Sequence, residues 1–131
     1  MCGIIGIKCS DANKFSNSIE SLMDTFEYRG PDDKGVWSKD DLVLGHRRLS
    51  IIDPSPDGHQ PMIDADNGNV IVFNGEIYNY LEVKKELEKT GSNFRTKTDT
   101  EVILKAYERY GKDCLSYFNG RLRSEDVGVG K

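Results

Sequence analysis

Residues 1–6 read MCGIIG, a thiol at position 2 followed directly by an apolar run. Gly3–Lys8, GIIGIK, carries the β-branched isoleucines of a buried strand. Chain ends ordinarily fray, so a cysteine here poses a choice. Either Cys2 is the half-buried first residue of that strand, or it is a reactive group uncovered when Met1 is removed. A thiol is a strong nucleophile only as thiolate, which requires a base nearby. Loss of Met1 would supply one, because the new α-amine titrates at about 7.7–8.0 when unperturbed. The residues downstream bear on which reading holds.

With 131 residues the chain suits one domain with its own core. Charged residues make up 31% and hydrophobic ones 37%, the balance of a soluble globular protein. The net charge of −4, with no basic stripe, argues against nucleic acid as a partner. Cys2, Cys9 and Cys114 are odd in number and irregular in spacing, which suits neither a disulfide framework nor a CxxC zinc site. Reduced thiols in the cytoplasm and no metal are therefore expected. Lys8, Asp11 and Lys14 interrupt any signal-peptide core, and no segment is long enough to span a bilayer.

Phe15, Ile19, Leu22, Met23 and Phe26 recur at helical spacing and predict an amphipathic helix from about Ala12 to Tyr28. YRGPDDKG (Tyr28–Gly35) breaks it. VWS and LVLGH, flanking Lys39, Asp40 and Asp41, predict a hairpin, and DPSPDGHQP (Asp53–Pro61) a loop. NVIVF, then Asn74-Gly75 and EIY, reads as a strand entering a tight turn. Two helices are predicted, about Tyr80–Thr90 and Asp99–Tyr110, with Gly91 and Gly111 placed to end them in a left-handed conformation. Strands and helices mix without βαβ alternation, so the predicted class is a layered α+β fold. The terminal GVGK is not a phosphate loop, since Glu125 occupies the earlier glycine position and no Ser or Thr follows.

Four stretches could carry chemistry. Cys2 is the first. In GHRRLSIID (Gly45–Asp53) the adjacent arginines are either a solvated pair or place one guanidinium inward, where it could grip a carboxylate through two parallel hydrogen bonds. His46 there reads as packed or solvent-facing rather than as a ligand. In FNGEIYN (Phe73–Asn79) Asn74-Gly75 is either a hairpin turn or a pair of donors for an oxyanion. In TDTE, Thr98 and Glu101 match a helix capping box, and Asp99 either complements the helix dipole or meets a ligand's ammonium group. Taken together, these would suit an amino acid whose side-chain carbonyl is attacked.

MCGIIG, RGPD, GHRRLSIID, QP, FNGEIYN and TDTE, in this order and spacing, resemble the class II glutamine amidotransferase domain, and most closely the one at the N-terminus of glutamine-hydrolysing asparagine synthetases. The resemblance covers about residues 1–120 as a partial domain. It leaves RLRSEDVGVGK (121–131) as a divergent tail expected to be unanchored and disordered. It implies an N-terminal-nucleophile hydrolase αββα sandwich, incomplete at its C-terminus. Cys2 matches the nucleophile. Arg48 matches the arginine for the glutamine α-carboxylate, and Leu49, Ser50, Ile51 and Ile52 line the same pocket. Asn74 and Gly75 match the oxyanion hole, Glu76 completes the substrate-contacting turn, and Asp99 matches the aspartate that meets the α-amino group. Arg47 receives no role.

The activity so implied is release of ammonia from L-glutamine through a Cys2 thioester. The ammonia would serve ATP-dependent amidation of aspartate by a synthetase domain not found in these residues. ATP and Mg belong to that domain alone, and the glutaminase step needs no cofactor. Besides L-glutamine, the implied partners are a synthetase domain or subunit, or a second copy of the chain. Two other readings stand beside this one: an inactive fragment or glutamine-binding module, and an amidotransferase for a different acceptor.

Overall fold

Strand β3 (Leu42–Arg48) organises the molecule, because its successive side chains point to two different buried faces. A computed structural model describes residues 2–52, 54–121 and 127–130; of these, the side chains of Asn13 and 127–130 are left undescribed. Strands β1 (Gly3–Lys8) and β2 (Asp33–Lys39) pair antiparallel with the two edges of β3, giving the order β1-β3-β2. On one face, Val43 packs with Ile19 and Met23 of helix α1 (Ser16–Asp24). On the other, Leu44 packs with Val70 and Val72 of strand β5 (Val70–Phe73).

All four residues of β5 are buried, as in a strand covered on both sides. Its remaining pair, Ile71 and Phe73, packs against Ile103 and Leu104 of helix α3 (Asp99–Tyr110). Removing each such side chain from water contributes roughly 2 kcal/mol. The layers therefore run α1, first sheet, second sheet, α3, which is the expected αββα sandwich. Helix α2 (Tyr80–Lys89) docks on α3 through Val83, Leu87, Val102 and Ala106. Among the described residues no helix is long and apolar enough to cross a membrane.

Local signals set the ends of the later helices. Gly91 has φ 98°; its N–H bonds to the Glu88 carbonyl and that of Ser92 to Leu87, closing α2 in a Schellman motif. Gly111 ends α3 with φ 58°. At the start of α3, Thr98 Oγ1 accepts from the Glu101 N–H at 3.3 Å, but the reciprocal half of the capping box is absent. Thr96 Oγ1 takes the Thr98 N–H instead. Glu101 is thereby released to bind the Arg95 and Thr96 N–H groups at 2.9 and 2.6 Å.

Three expectations are corrected. The helix over 12–28 is divided into a 3-10 turn (Ala12–Phe15), α1, and a second 3-10 turn (Glu27–Arg29). Thr25 Oγ1 bonds the Leu22 carbonyl at 2.6 Å and competes with the next helical turn, while Phe15 and Leu22 stay largely exposed. Asn74-Gly75 does not close a hairpin. β5 pairs with β4 (Met62–Ile63) and β8 (Val127–Gly130), while β6 (Glu76–Ile77) pairs with β7 (Gly120–Arg121). The 121–131 tail is not wholly unanchored. Arg121 belongs to β7, and 127–130 pairs antiparallel with β5 because a buried strand needs its edge hydrogen bonds met. Residues 122–126 and Lys131 lie outside the described residues, as do Met1 and Asp53.

Candidate functional site

The alternation along β3 separates the two adjacent arginines. Arg47 turns to the helix side and pairs with Glu27 at 3.2 Å and Asp24 at 3.7 Å. Arg48 turns the other way, into a cavity of about 790 Å³, where Nη1 donates to the Ser55 carbonyl at 2.7 Å. Cys2 lies on the same wall, one residue before β1. The Leu49 N–H donates to its Sγ at 3.2 Å, and Sγ also contacts the Leu49 carbonyl at 3.7 Å. This pair of contacts holds the sulfur beside the β3 exit, with Ile51 and Ile52 on the cavity wall beyond.

Asn74, Gly75 and Glu76 form a further side of the cavity. Among the described residues the Asn74 carboxamide has no hydrogen-bond partner, so its donors remain available there. A β-carbon on Gly75 would meet the Phe73 ring at 2.8 Å and collide with the Arg121 carbonyl, so only glycine lets the chain pass between them. The turn is braced from below. Tyr78 N–H bonds the Asn119 carbonyl at 2.6 Å, and the Asn79 side chain spans the Asn119 N–H and the Tyr117 carbonyl.

Asp99 also reaches the cavity, from the first turn of α3, and is only 6% exposed. Its Oδ2 accepts from the Ile77 N–H at 3.1 Å. Burial raises its pKa above the ordinary aspartate value, and the Glu76 charge adds to this, while hydrogen bonds from Ile77 and Thr100 oppose it. Such a carboxylate, short of solvent, is suited to receive a cationic group. Of the residues expected at the site, only Ser50 is not on the cavity wall. Its N–H instead bonds Asp32 Oδ2 at 2.7 Å and fastens the loop.

Several lining residues had no role in the sequence reading: Arg29, Gln60, Thr100 and Arg121. Arg29, whose Nε donates to the Cys2 carbonyl at 3.5 Å, sits in the RGPD motif, and Gln60 sits in QP. Their presence in those motifs was the available signal; Arg121 had none. His46, fully buried, meets the Phe73 carbonyl at 3.1 Å through Nε2. A carbonyl only accepts, so Nε2 carries the proton. Burial pulls the His46 pKa down to about 4, keeping the ring neutral. Cys114 lies away from the cavity: burial pushes its thiol pKa up, and it packs with Leu87 and Val102.

The chain is thus a layered α+β sandwich with a cysteine at residue 2 on the wall of its cavity. The fold is shared with the glutamine phosphoribosylpyrophosphate amidotransferase of B. subtilis, with a TM-score of 0.65 at 22% identity over 91% of this chain and 33% of that one. The chain belongs to the glutamine amidotransferase domain family, whose model matches residues 1–122. Within that family it is 42% identical to a putative glutamine-hydrolysing asparagine synthetase 2 of Methanocaldococcus jannaschii, over 92% of this chain and 26% of the relative. It is 37% identical to asparagine synthetase 3 of Bacillus subtilis and 39% identical to asparagine synthetase 1 of Arabidopsis thaliana, both named as glutamine-hydrolysing. In each of those two cases 92% of this chain matches 20% of the relative, so the chain spans between 20% and 26% of these relatives' lengths.

Proposed function

We propose that this domain hydrolyses L-glutamine to glutamate and ammonia, with Cys2 as nucleophile. The observation that carries the reading is the Cys2 sulfur held at 3.2 Å from the Leu49 N–H, on a cavity that also presents Arg48, Asn74, Gly75 and Asp99. Arg48 takes the α-carboxylate and Asp99 the α-ammonium group. Removal of Met1 gives Cys2 an α-amine that accepts the thiol proton, and the thiolate attacks the side-chain amide carbon. The tetrahedral oxyanion is met by Asn74 and the Gly75 N–H. Its collapse breaks the C–N bond, the α-ammonium returns the proton, and ammonia leaves. Water then attacks the thioester, releasing glutamate and restoring the thiol.

The names of the relatives support use of that ammonia in asparagine synthesis; ATP and Mg would belong to that synthetase step, to which no residue of this chain is assigned. The three free cysteines support a cytoplasmic setting. The test is glutamate release by purified chain whose loss of Met1 is confirmed by mass, with Cys2→Ala alongside. Turnover that vanishes in the variant is the expected result. Glutamine binding without turnover would replace the enzyme with a glutamine-binding module, and neither binding nor turnover would overturn the reading.

A further inference from the structure

The turn that carries Asn74 and Gly75 is gripped at both ends by side chains from elsewhere. On its near side the Phe73 N–H donates to Gln60 Oε1 at 2.7 Å, and on its far side the Ile77 N–H donates to Asp99 Oδ2 at 3.1 Å. Gln60 Nε2 then donates to Thr100 Oγ1 at 3.3 Å, the residue after Asp99. The connections form a ring: Gln60 to Phe73, along the turn to Ile77, across to Asp99, on to Thr100 and back to Gln60. The orientation of the Gln60 amide follows from its partners. The Phe73 N–H demands an acceptor, so Oε1 faces it and Nε2 is left for the hydroxyl. Gln60 is only 6% exposed and Thr100 only 4%, so water cannot replace either bond cheaply.

We infer that Gln60 is a positioning residue that sets the distance between the oxyanion-binding turn and the Asp99 carboxylate. In the proposed binding mode that distance has to span the substrate from its α-ammonium group to its side-chain carbonyl. Gln60 therefore governs discrimination of glutamine from asparagine, which is one methylene shorter. Gln60 makes this choice through main chain and hydroxyl, without touching the reacting atoms. The inference rests on the glutaminase reading for its substrate, and on the hydrogen-bond ring for its physics.

The test uses the full chain freed of Met1, carrying Gln60→Leu, Thr100→Val or Thr100→Ser. Gln60→Leu removes both bonds at similar volume and is expected to lower kcat on glutamine by about 10- to 100-fold. It should also narrow the glutamine-to-asparagine ratio of kcat/KM and speed hydrogen exchange at the Phe73 amide. Thr100→Val cuts only the link to α3, so KM should rise about tenfold with kcat little changed, and Thr100→Ser should restore it. A folded Gln60→Leu with unaltered kcat, selectivity and Phe73 exchange overturns the inference. If Gln60→Leu does not fold, Thr100→Val with wild-type KM and selectivity overturns it equally. Should the parent chain fail to hydrolyse glutamine, the glutaminase reading fails, and Phe73 exchange still decides the bracing role: unchanged exchange in Gln60→Leu sinks it.

Discussion

The Arg48 guanidinium lies directly over Gly58, so closely that a β-carbon on that glycine would fall on Nη2. Gly58 ends a 3-10 turn (Pro56–Gly58) whose preceding residue, Ser55, offers its carbonyl to Arg48 Nη1 at 2.7 Å. The loop thus both anchors the guanidinium and leaves it room.

Gly58→Ala is expected to displace the guanidinium and weaken the α-carboxylate contact. The atom in the way is the far end of a flexible side chain, so stability should change by less than about 1 kcal/mol. KM for glutamine should rise about tenfold, equivalent to the loss of one good hydrogen bond. Steady-state kinetics with a thermal melt on the same protein would show this, and an unchanged KM would remove Arg48 from the carboxylate role.

Gly75→Ala meets a more rigid environment, with the Phe73 ring on one side and the Arg121 carbonyl on the other. The turn must shift, displacing an oxyanion donor. The expected outcome is a fall in kcat of about 100-fold or more with a modest KM change, together with roughly 1–3 kcal/mol of lost stability from overpacking. A variant with normal kcat would mean that the oxyanion is held elsewhere.

Asp99 must be ionised to hold an ammonium group, and burial raises its pKa. As pH falls, KM for glutamine should therefore begin to climb at a higher pH than for an ordinary aspartate, with kcat less affected. Asp99→Asn keeps an acceptor for the Ile77 N–H but loses the charge. Its KM should rise by roughly 10- to 100-fold, the range for a lost charged hydrogen bond, and lose this pH dependence. Identical KM-against-pH curves for the two proteins would rule out the assignment.

His46 gives a stability prediction whose sign follows from its lowered pKa. The unfolded chain binds a proton at about 6.5, whereas the folded chain does so only near 4. Stability is full above that unfolded value and is lost as pH falls through the window toward 4, by up to roughly 3 kcal/mol. His46→Gln places an amide nitrogen near the same Phe73 carbonyl without titrating. Denaturant melts at several pH values should show a shallower acid decline for the variant, and parallel declines would contradict the account.

The parts of this fold that were legible in the sequence are those governed by nearest neighbours along the chain. Apolar spacing in YLEVKKELEK and the capping residues Thr98, Gly91 and Gly111 placed α2 and α3 nearly to the residue. The first helix was overdrawn because Phe15 and Leu22 fit the periodic pattern yet remain exposed, and because Thr25 competes for a helical carbonyl. The residues expected at the site were named from motifs, since residue type and order survive without coordinates, and all but Ser50 of them line one cavity. Gln60 had no such clue to its bonds, because its partners Phe73 and Thr100 lie 13 and 40 positions away.

The sequence by itself determined the order of elements, the αββα class through its motifs, and the identity of the thiol at position 2. Only the tertiary structure decided that Arg47 pairs with Glu27 and Asp24 on the helix side, that β6 pairs with β7 instead of β5, and that 127–130 pairs along the β5 edge. It alone brought the Leu49 N–H to the Cys2 sulfur across 47 residues. The physical reason is common to all of these. Periodicity and capping are properties of a short segment. By contrast, the choice of face and strand partner depends on which buried polar groups and apolar surfaces from distant segments must be satisfied together.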